Sequence, residues 1–414
     1  MIAPKMASAT TSDTQGAPVR FERDVAIMGG CGHVGLPLGL AWAERGLSVV
    51  LFDTNAESVD TVNSGAMPFR EEGADELLPS MLQAGRLRAT ADPATMQSAE
   101  NAVVVIGTPV DRYWYPDVAA VLRGLEPVVN TLVDDQLLVL RSTVFPGVTQ
   151  LVERLIAKSN KHVDVCFCPE RIAEGDGLAE LSALPQIVSG RTPRATQRAA
   201  ALFRHLTDEI LELTPEEAEL AKLFTNTWRY IKFATANQLF MIANDYGLDF
   251  ERIRHAVRYK YPRAADMPGP GFAAGPCLFK DTLQIAAFYE ANFTLGHASV
   301  NINEGLPSYL ISRLERRFDL ATMTVGILGM AFKARSDDIR GSLSYKLKRL
   351  LNLKAKRVLC TDPFVNDAEL VPLDCVLTES DLLVIATPHE EYANIEPRVP
   401  TVDPFNLLGQ GTRI

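Results

Sequence analysis

Between Asp24 and Gly190 the chain alternates apolar runs of strand length with stretches of helical pattern, and few folds accept that order. The runs read VAIMG (25–29), LSVVLFD (47–53), AVVVIGTP (102–109), QLLVLRST (136–143), VDVCFCP (163–169) and PQIVSG (185–190). Runs that are apolar throughout belong to strands covered on both faces. The helices between them then act as crossovers, so a parallel sheet sandwiched by helices is expected. The alternation resumes with TVGILGM (324–330), RVLCTDP (357–363) and DLLVIATP (381–388), which predicts a second, smaller α/β unit.

The pattern between these units is different. Thr214-Pro215-Glu216-Glu217 supplies an N-cap, a proline at the first helical position and the glutamate of a capping box. No Gly or Pro follows until Gly247. The spacing predicts a helix of about 32 residues, ~48 Å long at about 1.5 Å per residue. A helix of that length bridges domains or builds a dimer interface. A further helical stretch begins at Asp249 and leads into a Pro/Gly-rich loop, PGPGFAAGP (268–276). The expected division is a disordered tail (1–20), an α/β domain (21–208), a central helical domain (209–318) and a C-terminal α/β domain (319–414).

Lys and Arg total 41 against 51 Asp and Glu, a net charge of −10. That balance argues against a nucleic-acid binder. No apolar run reaches the ~18 residues of a membrane span, and the first twenty residues lack a signal peptide's apolar segment. Cys31, Cys166, Cys168, Cys277, Cys360 and Cys375 form no C-x-x-C pair, so neither a zinc site nor a disulfide framework is expected. The six histidines show no metal-ligand spacing. These features describe a cytoplasmic protein in a reducing compartment.

The first strand runs into Gly30-Cys31-Gly32-His33-Val34-Gly35, a G-x-G-x-x-G turn opening a helix. Glycines there let backbone approach a pyrophosphate, which rests on the helix N-terminus. Asp53 closes the next strand, placed for the hydroxyls of an adenosine ribose. Thr54, Asn55 and Ala56 follow, with no arginine for a 2′-phosphate, so NAD is expected rather than NADP. The alternative is a glycine loop that serves only helix–strand packing. Phe332, Lys333 and Arg340 follow a C-terminal strand and offer cationic contacts to a nucleotide, or are simply surface charge.

Cys277 follows the Pro/Gly loop, with Lys280 and Asp281 nearby. A thiol becomes a nucleophile when a cation or base lowers its pKa; otherwise it is a small buried apolar group. Lys222 and Asn226 share one face of the long helix and could donate to one developing oxyanion. Glu170 and Glu174 follow a strand, where open α/β sheets place ligand loops.

Taken together, the glycine turn with Asp53, STVFPG, CPERIAEG, AKLFTNT, PGPGFAAGPCLFKD and GMAFKARSDDIRGS occur in an order that resembles the nucleotide-sugar 6-dehydrogenases. That group contains UDP-glucose, UDP-N-acetylhexosamine and GDP-mannose dehydrogenases. The resemblance covers about residues 22–395. It implies an N-terminal Rossmann domain, a central helical domain that dimerises through a long helix, and a C-terminal Rossmann-like nucleotide-binding domain. It also implies oxidation of a sugar C6 alcohol to a carboxylate with two NAD and one water, in a homodimer or larger homo-oligomer.

The roles carried by the resemblance are specific. Cys277 is the nucleophile, forming a thiohemiacetal and then a thioester. Lys222 and Asn226 serve the oxyanion, and Asp281 with Thr143 orients water. Glu170 is the hydrolytic base and Glu174 contacts cofactor and substrate. Lys333, with Phe332, Arg263, Gly271 and Phe272, faces the nucleotide sugar. Gly107, Thr108, Pro109, Ser142, Thr143, Lys280 and Arg340 join the glycine turn around the cofactor. The loop before the cysteine reads Ala273-Ala274-Gly275-Pro276, where the family commonly carries paired glycines. Arg263, PGPG and PERIAEG favour a UDP-N-acetylhexosamine (UDP-N-acetylmannosamine or UDP-N-acetylglucosamine), whereas LFKD after the cysteine favours UDP-glucose or GDP-mannose. A two-electron hydroxyacid dehydrogenase would share the glycine turn and the lysine but would not need Cys277 or a second α/β domain. A nucleotide-sugar sensor with a dead site would not need the Cys277, Lys222, Asn226 and Asp281 set.

Overall fold

In the computed structural model, which describes residues 21–108, 117–289, 292–412 and 414, six parallel strands form the N-terminal sheet. They are β1 (Arg23–Met28), β2 (Val49–Phe52), β3 (Leu87–Thr90), β4 (Ala99–Val104), β5 (Leu137–Leu140) and β6 (Asp164–Phe167), in the order β3-β2-β1-β4-β5-β6. Both faces are covered. Val25, Ile27, Val49 and Leu51 pack with the helix Gly35–Glu44. Ala26, Val50, Val104 and Leu138 pack on the other face with Leu125 and Val152. That two-sided burial is why these strands read as unbroken apolar runs.

Two sequence expectations change. PQIVSG does not join this sheet; it forms β7 (Gln186–Ser189), paired in parallel with β8 (Ile210–Leu213). The sixth place goes to β3, LRAT, with Leu87 and Ala89 buried and Arg88 exposed. As an edge strand with one polar face it carries no unbroken apolar run. The expected tail (1–20) and Pro109 lie outside the described residues.

The long helix runs Pro215–Asp245, 31 residues, with its capping box formed: Thr214 N donates to Glu217 Oε2 at 2.8 Å and Glu217 N to Thr214 Oγ1 at 3.4 Å. The helices Leu278–Phe288 and Thr294–Leu314 pack against it. The C-terminal sheet comprises β9 (Thr324–Leu328), β10 (Arg357–Thr361), β11 (Leu382–Ile385) and the short β12 (Thr401–Val402), all parallel in the order β10-β9-β11-β12. One apolar cluster joins Val325, Ile327 and Val384 of this sheet to Leu306 and Leu310 of the helix Thr294–Leu314 and Phe240 of the long helix. Strand order reverses between β1 and β4, and again between β9 and β11, and ligand crevices form at such switch points.

Candidate active site

The glycines of the turn divide between close packing and an open approach. A Cβ on Gly30 would lie 2.7 Å from Leu51 Cβ, and one on Gly35 would lie 2.3 Å from Gly29 O, so both allow close packing. At Gly32 the nearest atom is 3.6 Å away, and the residue lines an open cavity. Gly29, which the spacing did not single out, has φ +72° and a side-chain position only 1.7 Å from Val105 O. Cys31 N donates to Asp53 Oδ2 at 3.1 Å and Asn55 N to Asp53 Oδ1 at 3.0 Å. Asp53 thereby fastens the turn to the end of β2 while lining the cavity. The Cys31 thiol is buried, which with nearby Asp53 pushes its pKa up to about 12, so only its backbone serves the turn.

This cavity, about 360 Å³, is also lined by His33, Val34, Gly107, Thr108, Ser142, Thr143, Lys280 and Arg340. Ser142 Oγ accepts from Ile106 N at 2.7 Å, joining the loops after β4 and β5. Lys280 Nζ donates to Thr108 Oγ1 at 2.8 Å. Backbone at an open glycine, a helix N-terminus and an acid at the end of β2 together fit a dinucleotide.

A second cavity, about 190 Å³, lies between the long helix, the loop 272–277 and the segment after β9. Lys222, Asn226, Arg229 and Phe233 face it from one side of the helix, and Phe272, Phe332 and Lys333 from the other walls. The two cavities share Ile172, Glu174, Lys222, Pro276 and Cys277. The cysteine therefore stands where they meet.

Cys277 occupies the N-cap position of the helix Leu278–Phe288, its thiol open to the cleft. A helix N-terminus favours a thiolate. Here burial by the cleft walls, and then the Asp281 carboxylate, outweigh that effect and the cations of Lys280 and Lys222, so the thiol pKa is raised. Burial is the larger cause and the Asp281 carboxylate the second, so the two nearby lysines do not lower this thiol. Asp281 is itself fully buried; its Oδ2 accepts from Asn226 Nδ2 at 2.5 Å and its Oδ1 has no hydrogen-bond partner among the described residues. Burial raises its pKa against Lys280, Lys222 and Asn226. Asn226 therefore spends one amide hydrogen on Asp281 rather than both on the cleft.

The two glutamates separate. Glu170 pairs with the buried guanidinium of Arg141 through Oε2, while its Oε1 accepts from Arg171 N at 2.6 Å and Ile172 N at 2.9 Å. It lines the cofactor cavity but not the other, and both oxygens are engaged. Glu170, expected as the hydrolytic base and as a substrate contact, thus has both carboxylate oxygens committed to Arg141 and to backbone N–H groups, in the cavity that Cys277 also lines. Glu174 borders both cavities. Burial, then a hydrogen bond shared with Asp338, push its pKa up to about 7 against Arg340. Arg340 Nη2 reaches Glu174 at 3.2 Å while its Nε binds Asp338 at 2.8 Å. His33, Glu174 and Asp338 bring potential metal-ligand atoms within 4.8 Å of one another, a convergence that no sequence spacing announced, with the Arg340 cation bonded to both acids.

Lys333 Nζ lies 3.4 Å from Asp176 Oδ2, and the Phe332 ring fills the space beside Gly275. Gly271 is buried behind the cavity wall rather than on it. Arg263 is not brought to either cavity; it sits on the exposed turn Pro262–Ala264, its guanidinium 5.7 Å from the Tyr261 ring. Sequence reasoning missed Arg229 and Phe233, although their spacing from Lys222 put them on its helical face. It also missed Arg141, Ile172 and Asp338, which only folding brings near.

Two nucleotide-sized α/β units, a glycine turn suited to NAD and a thiol at the junction of two cavities define an NAD-dependent dehydrogenase. Sequence models of the UDP-glucose/GDP-mannose dehydrogenase family match three segments: the NAD-binding domain over 23–207, the central domain over 216–305 and the UDP-binding domain over 326–408. The chain belongs to this family, whose members are NAD-dependent nucleotide-sugar oxidoreductases. The UDP-N-acetyl-D-mannosamine dehydrogenase of Pyrococcus horikoshii is 29% identical over 384 residues, 90% of each chain. That of Yersinia pestis is 27% identical, covering 89% of this chain and 94% of the relative. A solved UDP-glucose dehydrogenase from Pyrobaculum islandicum superposes with a TM-score of 0.86 at 27% identity, covering 92% and 94% of the two chains.

Proposed function

We propose that the chain oxidises the C6 hydroxyl of a UDP-N-acetylhexosamine, of the N-acetylmannosamine or N-acetylglucosamine type, to a carboxylate through a covalent intermediate on Cys277. The observation that carries this reading is the meeting of the two cavities at Cys277, beside Lys222 and Asp281. NAD, when bound, supplies the hydride acceptor for both oxidations. Lys222 stabilises the alkoxide as the proton of the C6 hydroxyl leaves and keeps the carbonyl oxygen polarised once the C6 hydrogen has gone as hydride. The thiol then adds to the aldehyde: as the sulfur–carbon bond forms the thiol gives up its proton, and the carbonyl oxygen, polarised by Lys222, takes one up. The thiohemiacetal then releases its hydroxyl proton and gives up the remaining C6 hydrogen as hydride, to a second NAD taken up after the first NADH has left, and becomes a thioester. Water cleaves the carbon–sulfur bond, Glu174 takes its proton, and the thiol is restored. With its pKa raised to about 7, Glu174 suits that task, whereas both oxygens of Glu170 are engaged by Arg141 and by backbone N–H groups.

Lys333 and Phe332 hold the nucleotide end, while the Arg229 guanidinium and Phe233 ring offer donors and an apolar wall to a sugar substituent. The relatives' names favour the N-acetylhexosamine reading over UDP-glucose or GDP-mannose. Domain limits of 21–208, 209–318 and 319–414 remain the working division. On the long helix Phe224, Trp228, Leu239, Ile242 and Tyr246 are exposed and, at about 100° per residue, fall within about 60° of one another. That stripe lies opposite the catalytic face, and a second copy of this chain would cover it. No helix of the described residues is long and apolar enough to cross a membrane. The cofactor, substrate class and reduced thiol suit the cytoplasm.

The test is a panel of nucleotide sugars with NAD, counting NADH per sugar. Two NADH and a carboxylate from a UDP-N-acetylhexosamine, lost in Cys277→Ser, support the reading. One NADH per sugar in the wild type refutes it.

A further inference from the structure

The loop 268–277 delivers Cys277 to the junction and walls the second cavity with residues 272–277, yet its own composition, PGPGFAAGPC, gives it little to hold it in place. Its middle is fastened from outside. Asn237, on the long helix and fully buried, accepts from Gly271 N through Oδ1 at 2.8 Å. Its Nδ2 donates to Gly271 O at 3.0 Å and to Asn303 Oδ1 at 2.9 Å. Asn303, fully buried on the helix Thr294–Leu314, donates its own Nδ2 to Tyr230 O at 3.0 Å. On the other side of Gly271 (φ +141°) the Phe405 ring stands 2.2 Å from where a Cβ would project.

The donors and acceptors of this chain fit in one direction only. Gly271 N demands an acceptor and Gly271 O a donor, so position 237 needs an amide. A carboxylate there would face two oxygens with no hydrogen to give, at the cost of burying a charge. Asn237 also lies at i+15 from Lys222 and i+11 from Asn226, on the face of the helix that carries them. One rigid helix thus holds the groups that polarise the carbonyl and clamps the loop that brings the thiol to it.

We propose that Asn237 is a positioning residue for the capture step: it fixes the loop so that Cys277 reaches the C6 aldehyde before that intermediate escapes. This rests on the proposed role of Cys277. The first hydride transfer needs C6 aligned with the cofactor. The capture needs, in addition, the sulfur within bonding reach of the carbonyl carbon, and a shift of about 1 Å at a reacting atom is enough to cost roughly 10²-fold. A loosened loop therefore separates the two oxidations. Aldehyde forms, the sulfur–carbon bond does not, and the aldehyde leaves with one equivalent of NADH made.

The experiment compares wild type with Asn237→Ser, Asn237→Asp and Phe405→Ala, the last loosening Gly271 without touching the amide. Each is checked for a native melting transition, then assayed for kcat, KM for both substrates, NADH per sugar, and free aldehyde trapped by hydroxylamine. In Asn237→Ser the expected result is a kcat at least tenfold lower, an NAD KM within twofold of wild type, fewer than two NADH per sugar, and trapped aldehyde. Phe405→Ala shifts the same stoichiometry in the same direction, and carries the test alone if the position 237 variants do not fold. Wild-type kcat/KM in a folded variant, or a slower enzyme that still makes two NADH per sugar without free aldehyde, overturns the proposal. Failure of the Cys277 reading is separate and visible earlier, as one NADH per sugar in the wild type or two in Cys277→Ser.

Discussion

At the residue scale, the site turns on acid–base groups whose environments oppose their types. Cys277 is a thiol with its pKa raised, held back by burial and Asp281 and helped by Lys280 and Lys222. Lys222→Met removes one of the two cations. Alkylation of Cys277 by iodoacetamide at pH 8 should therefore slow severalfold, and its pH profile should move upward. An equal or faster rate in the variant would contradict the assigned field. Glu174, with its pKa raised to about 7, is protonated below that pH and a carboxylate above it. If it is the hydrolytic base, kcat rises as pH climbs through 7. Glu174→Gln should leave a burst of two NADH, then slow the steady state roughly 10²-fold while an acylated enzyme accumulates, detectable by mass. The same pattern in Glu170→Gln instead would reverse the assignment. Asp362, which lines neither cavity, is held down to about 2: burial works against the charge, but His389 Nε2 at 3.1 Å and the backbone N–H groups of Ala331 and Phe364 outweigh it. Its folded pKa lies below the unfolded value of about 3.9, so its contribution is present above pH 4 and is lost as pH falls from about 4 towards 2. Asp362→Asn should lower stability at pH 7 by about 2 kcal/mol and flatten acid unfolding in that window, by chemical denaturation.

At the element scale, the long helix has two opposed faces with separate tasks. Residues 222, 226, 229 and 233 look into the site and 237 grips the loop behind its wall, while Phe224, Trp228, Leu239, Ile242 and Tyr246 look outward. Trp228, 60% exposed in one chain, is the largest of that stripe. A glutamate at this position would meet its symmetry mate or an apolar neighbour in a two-fold interface. Trp228→Glu should therefore convert a dimer to a monomer at micromolar concentration in analytical ultracentrifugation; a wild type that is already monomeric refutes the interface. The helix was legible because its start signal is local and complete in Thr214–Glu217, and its end is a glycine with φ +70° at Gly247. β3 was not, because an edge strand of four residues with one exposed face has too short a pattern to stand out. PQIVSG was read as a strand and is one, but its sheet partner, β8, is half exposed and carries no apolar run.

At the scale of the whole molecule, substrate and cofactor meet because three parts of the chain close on one cleft. The C-terminal unit touches the nucleophile loop directly: Gly275 N donates to Gly341 O at 3.4 Å and Phe332 packs on Gly275. Lys333 reaches the same cavity from that unit. Lys333→Ala should therefore raise KM for the nucleotide sugar about tenfold or more and leave the NAD KM within twofold. Remote binding energy is used at the reacting carbon, so kcat/KM should fall with it. An unchanged kcat/KM would remove Lys333 from the site.

The sequence by itself determined what depends on neighbours along the chain. Strand and helix periodicity, the glycine turn with Asp53, the capping box and the i,i+4 pair of Lys222 and Asn226 are all local patterns, set by steric and hydrogen-bonding rules that act over a few residues. Tertiary structure alone decided the state of each group. Arg141 pairing with Glu170, Asp281 adding to the rise of the Cys277 thiol, Asp338 helping to raise Glu174, and Asn237 grasping Gly271 join residues 29, 4, 164 and 34 positions apart. Only the Asp281 contact is within a helical turn, and even there the burial that sets its sign comes from the surrounding walls. Charges and hydrogen bonds take their strength from distance and desolvation in three dimensions, and neither is written in the spacing of residues that meet only when the cleft is built.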